Sequence, residues 1–357
     1  RASGADAASP ARRRSPSPRP RAASGGASSP LADDPEQGRI CAAAAHDDIP
    51  TPQEMKAVAQ LRERVQGIAD SIVGGERWYE DCELLRYVRA RTSLGEAEQL
   101  FREAMSLRCK QARDWGAITD AGSFGHDFVR YREIRDLPAQ AARAPSGAAS
   151  PPDWWTFLDE HLPGDIYGSD RNGLPVTYNC IGKADLQGLV REVGAEALAR
   201  YGTMLNDHFL DCARAATQQR RCAAATEPSP VLHGGIVILD MEGLSFRHRH
   251  EVKVFKLLSA AAKVLHPERQ RKCFVVRAPK IFGTVWKLVK GIIDPRTADR
   301  ITILSAGESM APLIGELGLE NVPECLGGKH VLRRPLPETL VPTGAFQQHR
   351  AQRGAAA

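Results

Sequence analysis

The run Lys272–Ile301, KCFVVRAPKIFGTVWKLVKGIIDPRTADRI, constrains the fold more than any other stretch of the chain. It reads as a strand, a break, an amphipathic helix, a second break at Asp294-Pro295, and another strand. Advancing 100° per residue from Phe282 puts Phe282, Val285, Trp286, Leu288, Val289, Ile292 and Ile293 on one arc of about 160°. Gly283, Thr284, Lys287, Lys290 and Gly291 take the opposite arc. An aromatic pair on an apolar face, backed by lysines, suits a lid over an apolar cavity. It also suits a segment that touches a bilayer surface, or an ordinary helix packed on a sheet.

The same alternation recurs upstream. Pro175–Ile181 and Gly235–Met241 read as strands, and about Ala195–Gln218 and Glu251–Leu265 as helices with apolar stripes. Strands are expected at Cys273–Ala278 and Ile301–Leu304, and a short helix near Met310–Leu317. Alternating strands and helices imply an α/β fold with a mainly parallel sheet under helical cover. Before it, Thr51-Pro52 opens a helix, about Trp78–Arg91 forms a second, and Ser93-Leu94-Gly95-Glu96 has capping-box spacing for a third. The division expected is a basic Ser/Pro/Ala-rich disordered segment at 1–50, a three-helix subdomain at 51–135 and a linker at 136–152. The main domain follows at 153–330, then a weakly ordered tail at 331–357.

Charge is uneven. Residues 1–30 carry six Arg and one Asp; removing these from totals of 48 basic and 43 acidic residues leaves 42 of each. The folded part is therefore neutral, and any anion site must come from local placement. The basic start fits a plain tail, a transit-peptide remnant or an anionic-surface tether. Its lack of aromatic residues argues against base stacking, so no nucleic acid is expected as a partner. Eight scattered cysteines without a Cys-x-x-Cys pair read as reduced thiols. No apolar run reaches the length of a membrane span.

Phosphate-loop, dinucleotide, nucleophile-elbow and paired metal-ligand spacings are missing from the sequence. His248-Arg249-His250 has no carboxylate partner and makes a poor metal site. This favours binding over catalysis, and no cofactor is implied. Polar residues instead border the apolar elements: Arg89 and Arg91, Glu268 and Arg269, Thr297 and Arg300. Each also has a structural reading, Glu268 and Arg269 as a helix-end ion pair among them.

Five stretches in order resemble the CRAL-TRIO lipid-binding family, which includes phosphatidylinositol and phosphatidylcholine transfer proteins and tocopherol and retinaldehyde carriers. They are DCELLRYVRARTSLGEAEQLFREAMSLR, DRNGLPVTYNCIGKADL, GGIVILDMEGLS, HPERQRKCFVVRAPKIFGTVWKLVKGIIDPRTADRI and ENVPECLGG. The resemblance implies a sheet forming the floor of a hydrophobic pocket, with Gly235, Val237 and Leu239 on that floor. It implies a gate helix bearing Phe282, Val285, Trp286, Val289 and Ile293, and a headgroup site at Arg91, Asp170, Glu268, Thr297 and Arg300. Arg300 stands where relatives commonly have Lys. Gly235 and Val237 replace the hydroxyl residues of the choline-lipid site, and Thr177 and Asn206 its tyrosines, which disfavours phosphatidylcholine. Lys280, Lys287 and Lys290 would meet an anionic membrane surface. The implied function is non-enzymatic binding, with transfer or presentation of phosphatidylinositol, by a cytoplasmic, peripheral and monomeric protein. The alternatives are a carrier of a tocopherol, retinoid or sterol-like ligand, and a protein-docking scaffold.

Overall fold

The computed structural model describes residues 49–70, 72, 75–114, 153–162, 164–170, 173–223, 231, 234–291, 293, 295–332 and 340–356. The expected disordered segment up to residue 48, residues 115–135 of the helical subdomain, the linker at 136–152 and residues 333–339 of the tail lie outside them.

Three helices come first: α1 (Pro52–Val65), α2 (Asp81–Ala90) and α3 (Leu94–Asp114). The start of α1 is fixed by its side chains. The Glu54 N–H donates to Thr51 Oγ1 at 3.1 Å, and the Thr51 N–H donates to the Glu54 carboxylate at 2.8 Å. Ser93 accepts from the Glu96 N–H at 3.3 Å to open α3. The three helices bury Val58, Leu61, Leu84, Leu85, Val88 and Phe101 in one cluster that also contains Leu265 from the main domain.

Five strands form one sheet in sequence order: β1 (Gly164–Ser169), β2 (Pro175–Asn179), β3 (Gly235–Asp240), β4 (Gln270–Ala278) and β5 (Ile301–Ser305). β1 pairs antiparallel with β2, and the remaining pairs are parallel. The helices are α4 (Asp153–His161), α5 (Leu186–Val193), α6 (Ala195–Ala223), α7 (Val252–Leu265), α8 (Phe282–Lys290), α9 (Pro295–Asp299), α10 (Ala311–Leu317) and α11 (Ala345–Ala356). β1, α4 and α5 are additions to the sequence reading. Gly-Asp-Ile-Tyr-Gly-Ser has no clear alternation, and eight or nine residues are too few for a firm helical period.

The two faces of the sheet differ. Val176, Tyr178, Ile236, Ile238, Phe274 and Val276 point one way and are at most 1% exposed, packed with Leu313 and Leu317 of α10 and with Val322 and Leu326. That face is an ordinary sealed core. The other face carries the candidate site.

The tail differs from expectation. Residues 345–356 form α11, in which Phe346 meets the Phe157 ring edge-on at 5.3 Å and His349 Nε2 lies 2.8 Å from Thr156 Oγ1. Its sequence, AFQQHRAQRGAA, is polar enough to read as tail, but one aromatic at the start of the helix meets an apolar notch on α4 that only the folded chain provides.

Candidate ligand-binding site

Strand register lines up the second face in two rows. Ile166, Thr177, Val237, Cys273 and Ile301 are successive partners across the sheet. Asn179, Leu239, Val275 and Ile303 form the next row. Val237, Cys273 and Val275 are buried, whereas Ile166, Leu239, Ile301 and Ile303 keep part of their surface open. This half-open apolar floor lies beneath Phe209 of α6 and Phe282 and Trp286 of α8. The floor positions expected at Gly235, Val237 and Leu239 share this face.

Gly235 has a packing reason. A Cβ there would sit 2.3 Å from the Pro175 carbonyl oxygen and 2.6 Å from Phe209 Cζ. The missing side chain is what lets Phe209 reach the floor. The two polar residues in the rows bond to each other, Asn179 Nδ2 donating to Thr177 Oγ1 at 3.2 Å.

The expected gate helix, α8, is shorter than its apolar pattern. Gly291 caps it at Lys290, and Ile293 follows through a single bond from its N–H to the Val289 carbonyl at 3.2 Å. Phe282 is buried and stacks with Trp286 at 6.1 Å, and Val289 and Ile293 are half-buried. The Val285 side chain lies outside the described residues. Leu288 departs from the expected apolar arc: it is 54% exposed, beside the exposed Lys287 and Lys290. Lys280 is exposed as well.

The expected headgroup residues separate into three groups. Glu268 and Arg300 meet in a buried ion pair, and Arg300 also donates to the Gln270 carbonyl at 2.9 Å. Thr297 lies one turn back, its carbonyl accepting from the Arg300 N–H at 3.2 Å. Asp170 shapes the β1–β2 turn: its carboxylate accepts from the Leu174 N–H at 2.8 Å and its carbonyl from the Gly173 N–H at 3.0 Å. Arg91 ends α2 with its guanidinium on the Ala90 carbonyl at 2.8 Å, and no contact joins it to Glu268, Thr297 or Arg300 among the described residues.

Glu268 pairs with Arg300 and not with Arg269, contrary to the helix-end pair considered from sequence. Glu268 itself has φ of +54°, a left-handed conformation that costs a non-glycine residue about 1–2 kcal/mol. Neighbours enforce it. Arg86 of α2 donates to the Pro267 carbonyl at 3.1 Å, and the Gly235 N–H donates to the Arg269 carbonyl at 3.0 Å. Gly234, at φ of +66°, makes that approach possible, since a Cβ there would lie 2.3 Å from the Arg269 oxygen.

Beneath this bend runs a buried charge network that the sequence reading missed. Arg108 of α3 grips Asp207 of α6 with two bonds of 3.0 and 2.8 Å, and His266 Nε2 sits 2.9 Å from the same carboxylate. Arg86 pairs with Glu83, and the Arg108 guanidinium stacks over Trp78 at 4.1 Å. Burial pushes Asp207 up, but Arg108 and His266 together hold it well below the usual carboxylate range. Burial drives the His266 imidazole down to about 4, against the pull of Asp207. Nothing in the spacing of Arg108, Asp207 and His266 signals this cluster; the only sequence cue was charged residues within apolar helices.

A cleft of about 270 Å³ elsewhere, between α2 and α6, is lined by Arg62, Glu80, Asp81, Cys82, Arg214 and Arg221. Its charges pair across it, as in Arg221–Asp81 at 3.1 Å, so it suits neither an acyl chain nor a single anion. Among the described residues no helix is long and apolar enough to cross a membrane, and no group of three His, Cys, Asp or Glu is placed to hold a metal.

The CRAL/TRIO domain family matches residues 160–328, which span all five strands and both sides of the floor. "Protein real-time" of Drosophila melanogaster is 26% identical over 281 residues, covering 76% of this chain. "CRAL-TRIO domain-containing protein T23G5.2" of Caenorhabditis elegans is 28% identical over 177 residues, covering 48% of this chain. The chain spans 40% of the length of the first and 24% of the second. A solved structure described as "Crystal structure of Sfh5" aligns at 14% identity with a TM-score of 0.46, covering 85% of this chain and 97% of that one. Residues 160–328 of the chain therefore form a domain that matches the CRAL/TRIO family.

Proposed function

We propose that this chain is a non-enzymatic carrier that takes up phosphatidylinositol at one membrane and delivers or presents it at another. The observation that carries the reading is the half-open apolar floor beneath α8, bordered by the Glu268–Arg300 pair.

The energetics require such a floor. A two-chain lipid exposes on the order of 30 methylenes at about 0.8 kcal/mol each, some 25 kcal/mol if water received them. No headgroup contact offsets that, so the protein interior must stand in for the bilayer. Acyl chains lie along the rows ending in Ile301 and Ile303, and Phe282 and Trp286 swing away with α8 to admit them. Glu268, Thr297 and Arg300 read the inositol hydroxyls at about 1–3 kcal/mol per charged hydrogen bond. Arg91 serves as a rim cation and Asp170 holds the turn at the floor's edge. Phosphatidylcholine is disfavoured because Phe209 occupies the space above Gly235. Docking at an anionic, cytoplasm-facing surface comes from Lys280, Lys287 and Lys290 at roughly 1 kcal/mol each. Leu288 supplies an apolar contact on the same helix. The carrier acts as a monomer.

The test is transfer of phosphatidylinositol between donor and acceptor vesicles. Removing Arg300 alone would strand Glu268 as a buried charge, at about 3–5 kcal/mol. The pair is therefore exchanged together, Glu268→Gln with Arg300→Gln, and combined with Thr297→Ala. Transfer should fall at least ~tenfold, the equivalent of one charged contact. Unchanged transfer rejects the headgroup assignment. Organic extraction of the purified protein that yields only a tocopherol, retinoid or sterol would replace phosphatidylinositol with an uncharged cargo.

A further inference from the structure

We propose that Arg269 holds the anionic oxygens of the bound ligand, a phosphate or carboxylate carried on an apolar tail, at the Phe209 end of the sheet floor. This rests on the lipid-carrier reading above and names the group that meets the ligand's charge.

Four buried arginines elsewhere in the described structure are paired with carboxylates. Arg86 is with Glu83, Arg89 with Glu54, Arg108 with Asp207 and Arg300 with Glu268. The Arg269 guanidinium has no hydrogen bond or ion pair among the described residues. Its contact is the Phe209 ring, 5.8 Å from the guanidinium carbon. That distance gives only a weak cation–π attraction, and it satisfies none of the guanidinium's five N–H donors. The adjacent Glu268 carboxylate is spent on Arg300 and leaves this charge uncompensated.

Its backbone position is fixed, and the Phe209 ring lies against the side chain. The backbone is held by the Gly235 N–H and by the close approach of Gly234. Part of the side chain's surface stays open, yet the guanidinium is shielded enough that burial lowers it to about 10, with the Cys273 thiol of the floor beside it. A partly desolvated charge is stabilised when an anion pairs it. Asn206 precedes Phe209 by three residues, so it lies on the same face of α6. Its half-buried amide has no hydrogen bond among the described residues and can add a donor. A planar fork beside an amide suits two oxygens of one phosphate or carboxylate.

The full chain is incubated with vesicles holding equal amounts of phosphatidylinositol, phosphatidic acid and diacylglycerol, re-isolated, and its bound lipid weighed by native mass spectrometry. A parallel arm offers inorganic phosphate alone and reads the melting temperature. Wild type should favour both acidic lipids over diacylglycerol. Arg269→Leu should cut that preference at least ~tenfold, as expected for loss of one charged contact, with Arg269→Lys in between. Lipid-free Arg269→Leu should also melt higher than lipid-free wild type, because it removes an unpaired charge. An unchanged preference, or lower melting of both Arg269→Leu and Arg269→Gln, overturns the assignment while the carrier reading stands. Failure of wild type to take up any of the lipids overturns both. Stabilisation by inorganic phosphate that needs Arg269, without acidic-lipid preference, makes the ligand a tailless anion and overturns the apolar tail.

Discussion

At the scale of single residues, the site is decided by what each polar group is already bonded to. Sequence position makes Glu268, Arg269, Thr297 and Arg300 look like one cluster of equivalents. The fold spends Glu268 on Arg300, sets Arg269 against Phe209, and leaves Thr297 a turn away. Gly235 is decided in the same way. From the family resemblance it marks a lost hydroxyl, which Ser would restore. The Pro175 oxygen and Phe209 ring leave no room for a Cβ. Gly235→Ser should therefore bring no gain in phosphatidylcholine exchange and lower stability by about 1–3 kcal/mol, the usual cost of overpacking. Urea unfolding alongside a phosphatidylcholine transfer assay checks both halves.

At the scale of elements, the strongly periodic segments were legible and the short ones were not. α6, α7 and β2 to β5 appear close to their expected places, because a long amphipathic stripe or a run such as Gly-Ile-Val-Ile-Leu-Asp encodes its own environment. α4 and α11 depend on each other. Phe346, His349, Phe157 and Thr156 form one contact whose halves are nearly 200 residues apart. No local window contains both sides. Phe346→Ala should cost about 1–3 kcal/mol, less than a fully buried Phe because the ring is only partly covered. A shift in the urea midpoint without a change in slope would confirm it, and no shift would show α11 to be idle.

At the scale of the whole molecule, the N-terminal helices and the CRAL/TRIO domain are joined by buried charge as well as by apolar packing. Arg108 reaches from α3 to Asp207, Arg86 from α2 to Pro267, and Leu265 lies in the helical core. The pH dependence follows from this junction. Both Asp207 and His266 titrate lower in the folded chain than in the unfolded one. The unfolded state therefore binds more protons below the ordinary histidine range. The stability these groups contribute is complete above about 6.5, and His266's share is lost as pH falls towards about 4. The Asp207 share goes at still lower pH. Asp207→Ala should destabilise the protein by about 3–5 kcal/mol at pH 7 by leaving Arg108 unpaired. Chemical denaturation at pH 7 reads that loss, and the same measurement on wild type from pH 4 to 8 reads the His266 limb. A loss under about 1 kcal/mol would remove Asp207 from the junction.

The sequence by itself determined the α/β class, the order of the main elements, the apolar face of α8 and the resemblance of its main domain to the CRAL/TRIO family. These are written in local periodicity and short motifs, each complete within a few dozen residues. Only the tertiary structure decided which charges are spent and which are free, why Gly235 is glycine, and what the C-terminal helix packs on. Pairing and close approach depend on distances between residues far apart in the chain, and those distances exist only once the sheet and helices have closed around one another.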